Sequence, residues 1–86
     1  MSRRKRKPLT PDHPALVAAV HFSRAEFAFL LSPPCDANHS RLRRIAIQAK
    51  LDLYEAANNS GENPKRFERM ATTAARSCKA AIEAAN

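Results

Sequence analysis

After Pro14, residues that break regular secondary structure are gathered in two short connections of this chain, "SPPCDAN" over residues 32–38 and "NNSGENP" over residues 58–64. The only glycine of the chain, Gly61, lies in the second connection. No segment between or beside them shows the sustained alternation of β-branched and polar residues that is expected of a strand. This placement of breakers predicts an all-α protein in which three helices are separated by two loops.

The helix boundaries follow from caps and breakers. Thr10 or Asp12 is expected to cap the first helix, while Asn63 caps the third and Pro64 takes its first position, where the missing N–H costs nothing. Helices of about 27–33 Å, joined by connections of roughly six or seven residues, suit antiparallel neighbours. The predicted fold is therefore a small three-helix up-down-up bundle. Its helices are expected over about residues 14–31, 39–57 and 64–85.

Basic residues are concentrated at the start of the chain, where "RRKRK" occupies residues 3–7 and three prolines follow within residues 8–14. The predicted organisation is an extended, proline-punctuated basic N-terminal arm over residues 1–13, followed by a three-helix domain over residues 14–86. The net charge is +7, from 15 basic and 8 acidic residues, and the arm holds five of the basic ones. Outside the run over residues 3–7 the chain therefore carries only +2, so the basicity belongs mainly to this run.

Chain length limits how much of the surface a single domain can bury. A chain of 86 residues buries about 60–65% of its unfolded surface, so a homo-oligomer or a larger protein partner is expected to add buried area. The two cysteines, Cys35 and Cys78, lack the dense spacing of a disulfide scaffold. Without an apolar signal segment at the start, a cytoplasmic or nucleoid-associated location is expected.

The first helical segment is apolar on nearly all sides. One side collects Leu16, Val20, Phe27, Leu30 and Leu31. Another collects Ala15, Ala18, Phe22, Ala25 and Phe29. Phe22 and Phe29 are expected to form an exposed aromatic stripe that contacts a partner or a second copy, the alternative being a bundle that wraps this helix more fully. No membrane span is expected, because the segment is charged in its middle and ends at Pro-Pro.

The third helical segment is amphipathic. Its expected core stripe comprises Phe67, Met70, Ala71, Ala74, Cys78, Ala81, Ile82 and Ala85. The opposite face carries a row of cations, which are Lys65, Arg69, Arg76 and Lys79, together with Thr72. Such a row can follow a phosphate backbone, and the alternative is an ordinary solvated face. In the second segment, Arg41 and Arg44 stand near the helix start, where the helix dipole disfavours cations, which suggests that they serve a partner.

Catalytic and metal-binding chemistry is not expected. The three histidines and two cysteines are not accompanied by a glycine-rich elbow, paired carboxylates or a phosphate-binding loop, so the protein is predicted not to be an enzyme. The segment "CDANH" over residues 35–39 lacks the second ligand pair that structural zinc needs, and no metal or cofactor is predicted. The long, proline-containing first connection also disfavours a helix-turn-helix motif.

These patterns favour a small, non-enzymatic accessory subunit of a nucleoprotein assembly, which binds the backbone of DNA or RNA without reading its sequence. A localisation signal and a solvated tail remain alternatives for the arm. An alternative function is a protein-binding inhibitor or adaptor, such as a mobile element might encode, whose cations occupy an acidic surface of a larger machine. The candidate nucleic-acid-binding residues are Arg3, Arg4, Lys5, Arg6, Lys7, Arg41, Arg44, Lys65, Arg69, Arg76 and Lys79.

Overall fold

The structure, a computed structural model, describes residues 10–85. They form three α-helices and no strand: α1 (Pro14–Leu31), α2 (His39–Asn59) and α3 (Pro64–Ala85). The all-α prediction is confirmed, and the helix bounds differ from the predicted ones only at the end of α2, which continues for two more residues. The basic run over residues 3–7 lies outside the described residues.

Helix α1 is capped by His13 and not by Thr10 or Asp12. The Nδ1 atom of His13 accepts a hydrogen bond from the Ala15 N–H at 3.1 Å. The cap moves to this position because residues 10–13 form a turn, in which the His13 N–H donates to the Thr10 carbonyl at 3.0 Å. The His13 imidazole also lies 6.4 Å from the Phe67 ring, with the two planes 9° apart. The cap therefore joins the start of α1 to the start of α3.

Replacing His13 by alanine is expected to lower the free energy of unfolding by about 0.5–2 kcal/mol, because one N-terminal amide of α1 loses its acceptor. Urea unfolding followed by circular dichroism measures the effect. The control is His21→Ala, since His21 is an exposed residue of the same helix and its loss should change stability little. Equal losses in the two variants would show that the cap does not stabilise α1.

The two connections are held by local hydrogen bonds. Asn63 Oδ1 accepts from the Lys65 N–H at 3.1 Å, so the predicted cap of α3 is confirmed. Gly61 has a φ of 73°, the left-handed conformation that favours glycine and ends α2. In the first connection, the ring centroids of Phe29 and His39 lie 4.7 Å apart, which packs the end of α1 against the start of α2.

Helix α1 packs along both of its neighbours, whereas α2 and α3 contact each other over a much shorter stretch. The contact between Phe29 and His39 joins the end of α1 to the start of α2, so these helices are antiparallel. The contact between His13 and Phe67 joins the start of α1 to the start of α3, so these helices are parallel. The path is therefore up, down and up, as predicted. Nine apolar residues of the described part of the chain are buried, and six of them are alanines, which let the helices approach closely. The nine residues are Ala15, Ala19, Phe22, Ala46, Leu53, Ala57, Phe67, Ala71 and Ala75.

The faces of α1 are reversed from the predicted arrangement. Phe22 is only 4% exposed and lies in the core, so the expectation that it forms an exposed contact stripe is wrong. Phe29 is partly buried and its ring packs on His39. Val20 and Leu31 lie on the other apolar side of α1, away from Phe22, and they are 44% and 43% exposed. The small residues beside Phe22 decide the outcome, because alanines let α2 and α3 approach closely while the one large ring fills the space between them.

The core stripe of α3 ends halfway along the helix. Phe67, Ala71 and Ala75 are buried, whereas Cys78 and Ile82 are exposed, so the predicted continuation of the stripe to residue 85 is wrong. The same prediction placed Met70, Ala74, Ala81 and Ala85 in the core, and these residues are exposed as well.

The sequence of α1 explains where burial stops. Glu26 follows Ala15, Ala19 and Phe22 at helical spacing on the core-facing side, and no residue of α1 beyond Phe22 is fully buried. Closing the bundle over this carboxylate would remove its hydration, which is costly without a charged partner. The bundle is therefore closed at the His13 end and open at the Glu26 end.

Candidate nucleic-acid interface

A shallow groove of about 290 Å³ runs along the outer face of α3. Its lining residues are Lys65, Glu68, Arg69, Thr72, Thr73 and Arg76. The structure thus brings three of the four predicted cations of α3 into one concave surface, which we call the α3 groove. Two threonine hydroxyls lie between the cations and can donate hydrogen bonds to an anion. The sequence alone predicts that the residues of this groove lie side by side, because residues three or four apart on one helix are neighbours.

The one carboxylate that lines the α3 groove is already engaged by α2. The Tyr54 hydroxyl donates a hydrogen bond to Glu68 Oε1, and Lys50 Nζ lies 3.1 Å from Glu68 Oε2. The Tyr54 hydrogen bond lowers the pKa of Glu68, partial burial opposes this effect, and the positive charges of Lys50 and Lys65 lower the pKa further. The same hydrogen bond raises the pKa of Tyr54, since the hydroxyl proton is held by the carboxylate. Glu68 is therefore occupied on the α2 side of the groove.

The lowered pKa of Glu68 predicts a dependence of stability on pH. Because its folded pKa lies below the ordinary value of about 4.5, the stabilisation is complete above the unfolded pKa and is lost as the pH falls through the folded pKa. We expect the stability difference between the protein and Glu68→Gln to shrink as the pH falls from about 6 to about 3. Urea unfolding across this range measures it, with the exposed Glu55→Gln as control. A difference that is independent of pH would contradict the ionic contact.

Lys79, the fourth predicted cation of α3, already has a partner. Its Nζ lies 2.7 Å from the Glu83 carboxylate, one helical turn away. Among residues 10–85, no carboxylate lies within ion-pair distance of Lys65, Arg69 or Arg76. The cations of α3 that have no ion pair among residues 10–85 are thus the three that line the groove and Arg66, whose guanidinium lies over the Phe67 ring outside the groove.

Helix α2 adds a basic edge that sequence reasoning did not assign to the site. Lys50 and Tyr54 face α3, and Arg43 shares that face because it precedes Lys50 by seven residues, or two turns. Arg41 and Arg44 are exposed, as predicted, but the helical spacing places both off this face. Helical spacing therefore places Arg43, of the early cluster, on the same face of α2 as Lys50 and Tyr54. The arm residues of the predicted site, Arg3 to Lys7, lie outside the described part of the chain.

Other chemistries leave little trace in residues 10–85. No group of three His, Cys, Asp or Glu side chains lies together as a metal site there. Cys35 and Cys78 are free and exposed. By length and composition α1 could cross a membrane, a test that a helix packed inside a globular domain also meets. The cation-lined groove is the feature of this surface that most directly implies a ligand class.

Comparisons of the chain with protein-family models, with curated proteins and with solved structures gave no match. The function is therefore inferred from the charge, exposure and geometry of the groove and of the faces around it. Three cations that have no ion pair among residues 10–85 share one elongated surface with two hydroxyl donors there.

Proposed function

We propose that the protein is a non-enzymatic, nucleic-acid-binding accessory subunit of a nucleoprotein assembly. The α3 groove carries this proposal, because its Lys65, Arg69 and Arg76 form no ion pair with a carboxylate of residues 10–85. Its ligand is the phosphate backbone of DNA or RNA, and the basic arm adds five further cations. Binding is independent of nucleotide sequence, since phosphate contacts position a protein without reading bases.

The dimensions of the groove suit a nucleic-acid strand. Lys65 and Arg76 are eleven residues apart in one helix, which corresponds to about 16 Å along its axis. One strand of B-DNA rises about 3.4 Å per phosphate, so the row matches the axial rise of about five nucleotides. Arginine at two of the three positions allows bidentate hydrogen bonds to phosphate oxygens. Thr72 and Thr73 supply neutral donors between the charges.

The affinity is expected to fall steeply with salt, because each neutralised phosphate releases counterions. The triple variant Lys65→Gln, Arg69→Gln, Arg76→Gln is expected to reduce the slope of log affinity against log salt by about three for duplex DNA. Fluorescence anisotropy with labelled single-stranded DNA, duplex DNA and RNA, each over a salt series, measures the slope.

A charge-matched pair of single variants distinguishes binding by the α3 groove from attraction by the net charge of the protein. Arg69→Gln and Arg24→Gln each remove one exposed cation, but Arg24 lies on α1. We expect only Arg69→Gln to reduce the slope, by about 0.9. Equal effects of the two variants would show that net charge alone attracts the nucleic acid. If the intact protein binds no nucleic acid at low salt, the proposal is wrong, and the same cations would be assigned to acidic side chains of a protein target.

A further inference from the structure

The solvent-facing side of α1 carries a regular apolar stripe, which we call the α1 seam. Its members are spaced alternately three and four residues apart, and they are Val17, Val20, Arg24, Phe27 and Leu31. Val17, Val20 and Leu31 are each at least 40% exposed. This 3-4 spacing is the one by which helices interlock along a shared seam. The only charged member, Arg24, is exposed and stands at the centre of the stripe.

A groove of about 310 Å³ lies between α1 and α3, directly beside the α1 seam. Leu16, Val20, Met70 and Ala74 supply most of its apolar wall, and Arg24 lies at its edge. Met70 is 44% exposed there although it belongs to the apolar side of α3. The groove has room for one large apolar side chain next to a guanidinium group.

We propose that the α1 seam docks an amphipathic helix of a partner protein, with a carboxylate of that helix facing Arg24 and a large apolar side chain in the adjoining groove. The inference rests on the proposed role in an assembly, for which it names the chemistry of the protein partner. It uses a different surface from the α3 groove, because Met70 and Ala74 lie on the side of α3 that faces α1, away from the row formed by Lys65, Arg69 and Arg76.

Charge complementarity favours a partner helix over the two occupants that this chain could supply, which are a second copy of the chain and its basic arm. If two copies paired symmetrically through their seams, the central Arg24 residues would meet, and like charges in an interface are costly. The only acid of α1, Glu26, lies on the core-facing side and cannot offset this repulsion. The basic arm would bring five cations to the same guanidinium. A partner helix with a carboxylate satisfies Arg24 and covers the apolar residues around it.

The proposal is tested on the full chain with two designed peptides. Each is a fluorescein-labelled amphipathic helix with leucines at 3-4 spacing, and the central seam position is Glu in one peptide and Lys in the other. We expect the Glu peptide to bind at least about tenfold more tightly than the Lys peptide, and Arg24→Glu to reverse the order. Val20→Asp should weaken binding of the Glu peptide by about tenfold or more. Circular dichroism checks the fold of each variant. If Val20→Asp does not fold, Leu31→Asp takes its place, because Leu31 is also an exposed member of the α1 seam.

Several outcomes would overturn the inference. Equal binding of the two peptides, or no binding of the Glu peptide, would show that the α1 seam does not recognise a helix with a carboxylate. A dimer in sedimentation equilibrium that Val20→Asp dissociates would assign the seam to a second copy. Binding to phosphatidylserine vesicles that Val20→Asp abolishes, without a peptide preference, would assign it to a membrane. The triple variant of the α3 groove should keep its affinity for the Glu peptide, so failure of nucleic-acid binding and failure of helix docking are separate results.

Discussion

Phe67→Ala is expected to lower the free energy of unfolding by about 3–5 kcal/mol, the range for loss of a fully buried phenylalanine. The Phe67 side chain is fully buried and is one of the two largest in the core. It stacks on His13, and the Arg66 guanidinium lies 5.8 Å from its ring centroid. Removing the ring leaves a cavity at the closed end of the bundle, where α1, α2 and α3 all meet.

The expected loss is a large fraction of the total free energy of unfolding of a domain of this size. At roughly 0.05–0.15 kcal/mol per residue, the described part of the chain has a total stability of roughly 4–11 kcal/mol. Phe67→Ala should therefore leave a substantial unfolded population at 37 °C, which thermal and urea unfolding followed by circular dichroism would detect.

Ile82→Ala is the matched control on the same helix. Ile82 is 41% exposed at the open end, and its replacement should change stability by less than about 1 kcal/mol. A loss comparable to that of Phe67→Ala would mean that the core continues through the second half of α3, contrary to the structure.

Deleting residues 2–7 is expected to reduce the slope of log affinity against log salt by about four or five, since the segment holds five cations and each phosphate contact contributes about 0.9. This is a larger effect than that of the three cations in the α3 groove. It follows from charge alone, because removal of five of the 15 basic residues leaves a chain that is nearly balanced against its 8 acids.

A variant that keeps the length of the arm makes this experiment interpretable. Replacing Arg3, Arg4, Lys5, Arg6 and Lys7 by glutamine preserves the number of residues and removes only the charge. Deletion and replacement should give the same slope if the arm acts through phosphate contacts. A truncated protein that binds DNA and RNA as tightly as the intact one would exclude the arm from the interface.

Helix boundaries and the charged row of α3 could be derived from the sequence because both depend on neighbours along the chain. Asn63 and Pro64 start α3 through local hydrogen bonding and a restricted backbone, and Gly61 ends α2 through its left-handed conformation. Lys65 and Arg69 lie on one surface because residues four apart on a helix are adjacent. None of these features requires knowledge of how the helices pack.

The basic edge of α2 could not be derived in the same way. Arg43 was distinguishable from Arg41 and Arg44 only after the contacts of Lys50 and Tyr54 with Glu68 showed which side of α2 faces α3. Two residues of α2 and one of α3, fourteen or more positions apart, define that side. Periodicity within one helix contains no information on such a pairing.

The sequence by itself determined that this chain forms three helices after a basic run of residues, and that one outer face of α3 is cationic. The tertiary structure alone decided which side of α1 is buried. Both sides of that helix are apolar, so hydrophobicity does not distinguish them. Close packing does, because Ala15 and Ala19 let α2 and α3 approach while Phe22 fills the space between them. Val17, Val20 and Leu31 are exposed as a consequence, and the surface proposed for a protein partner is theirs.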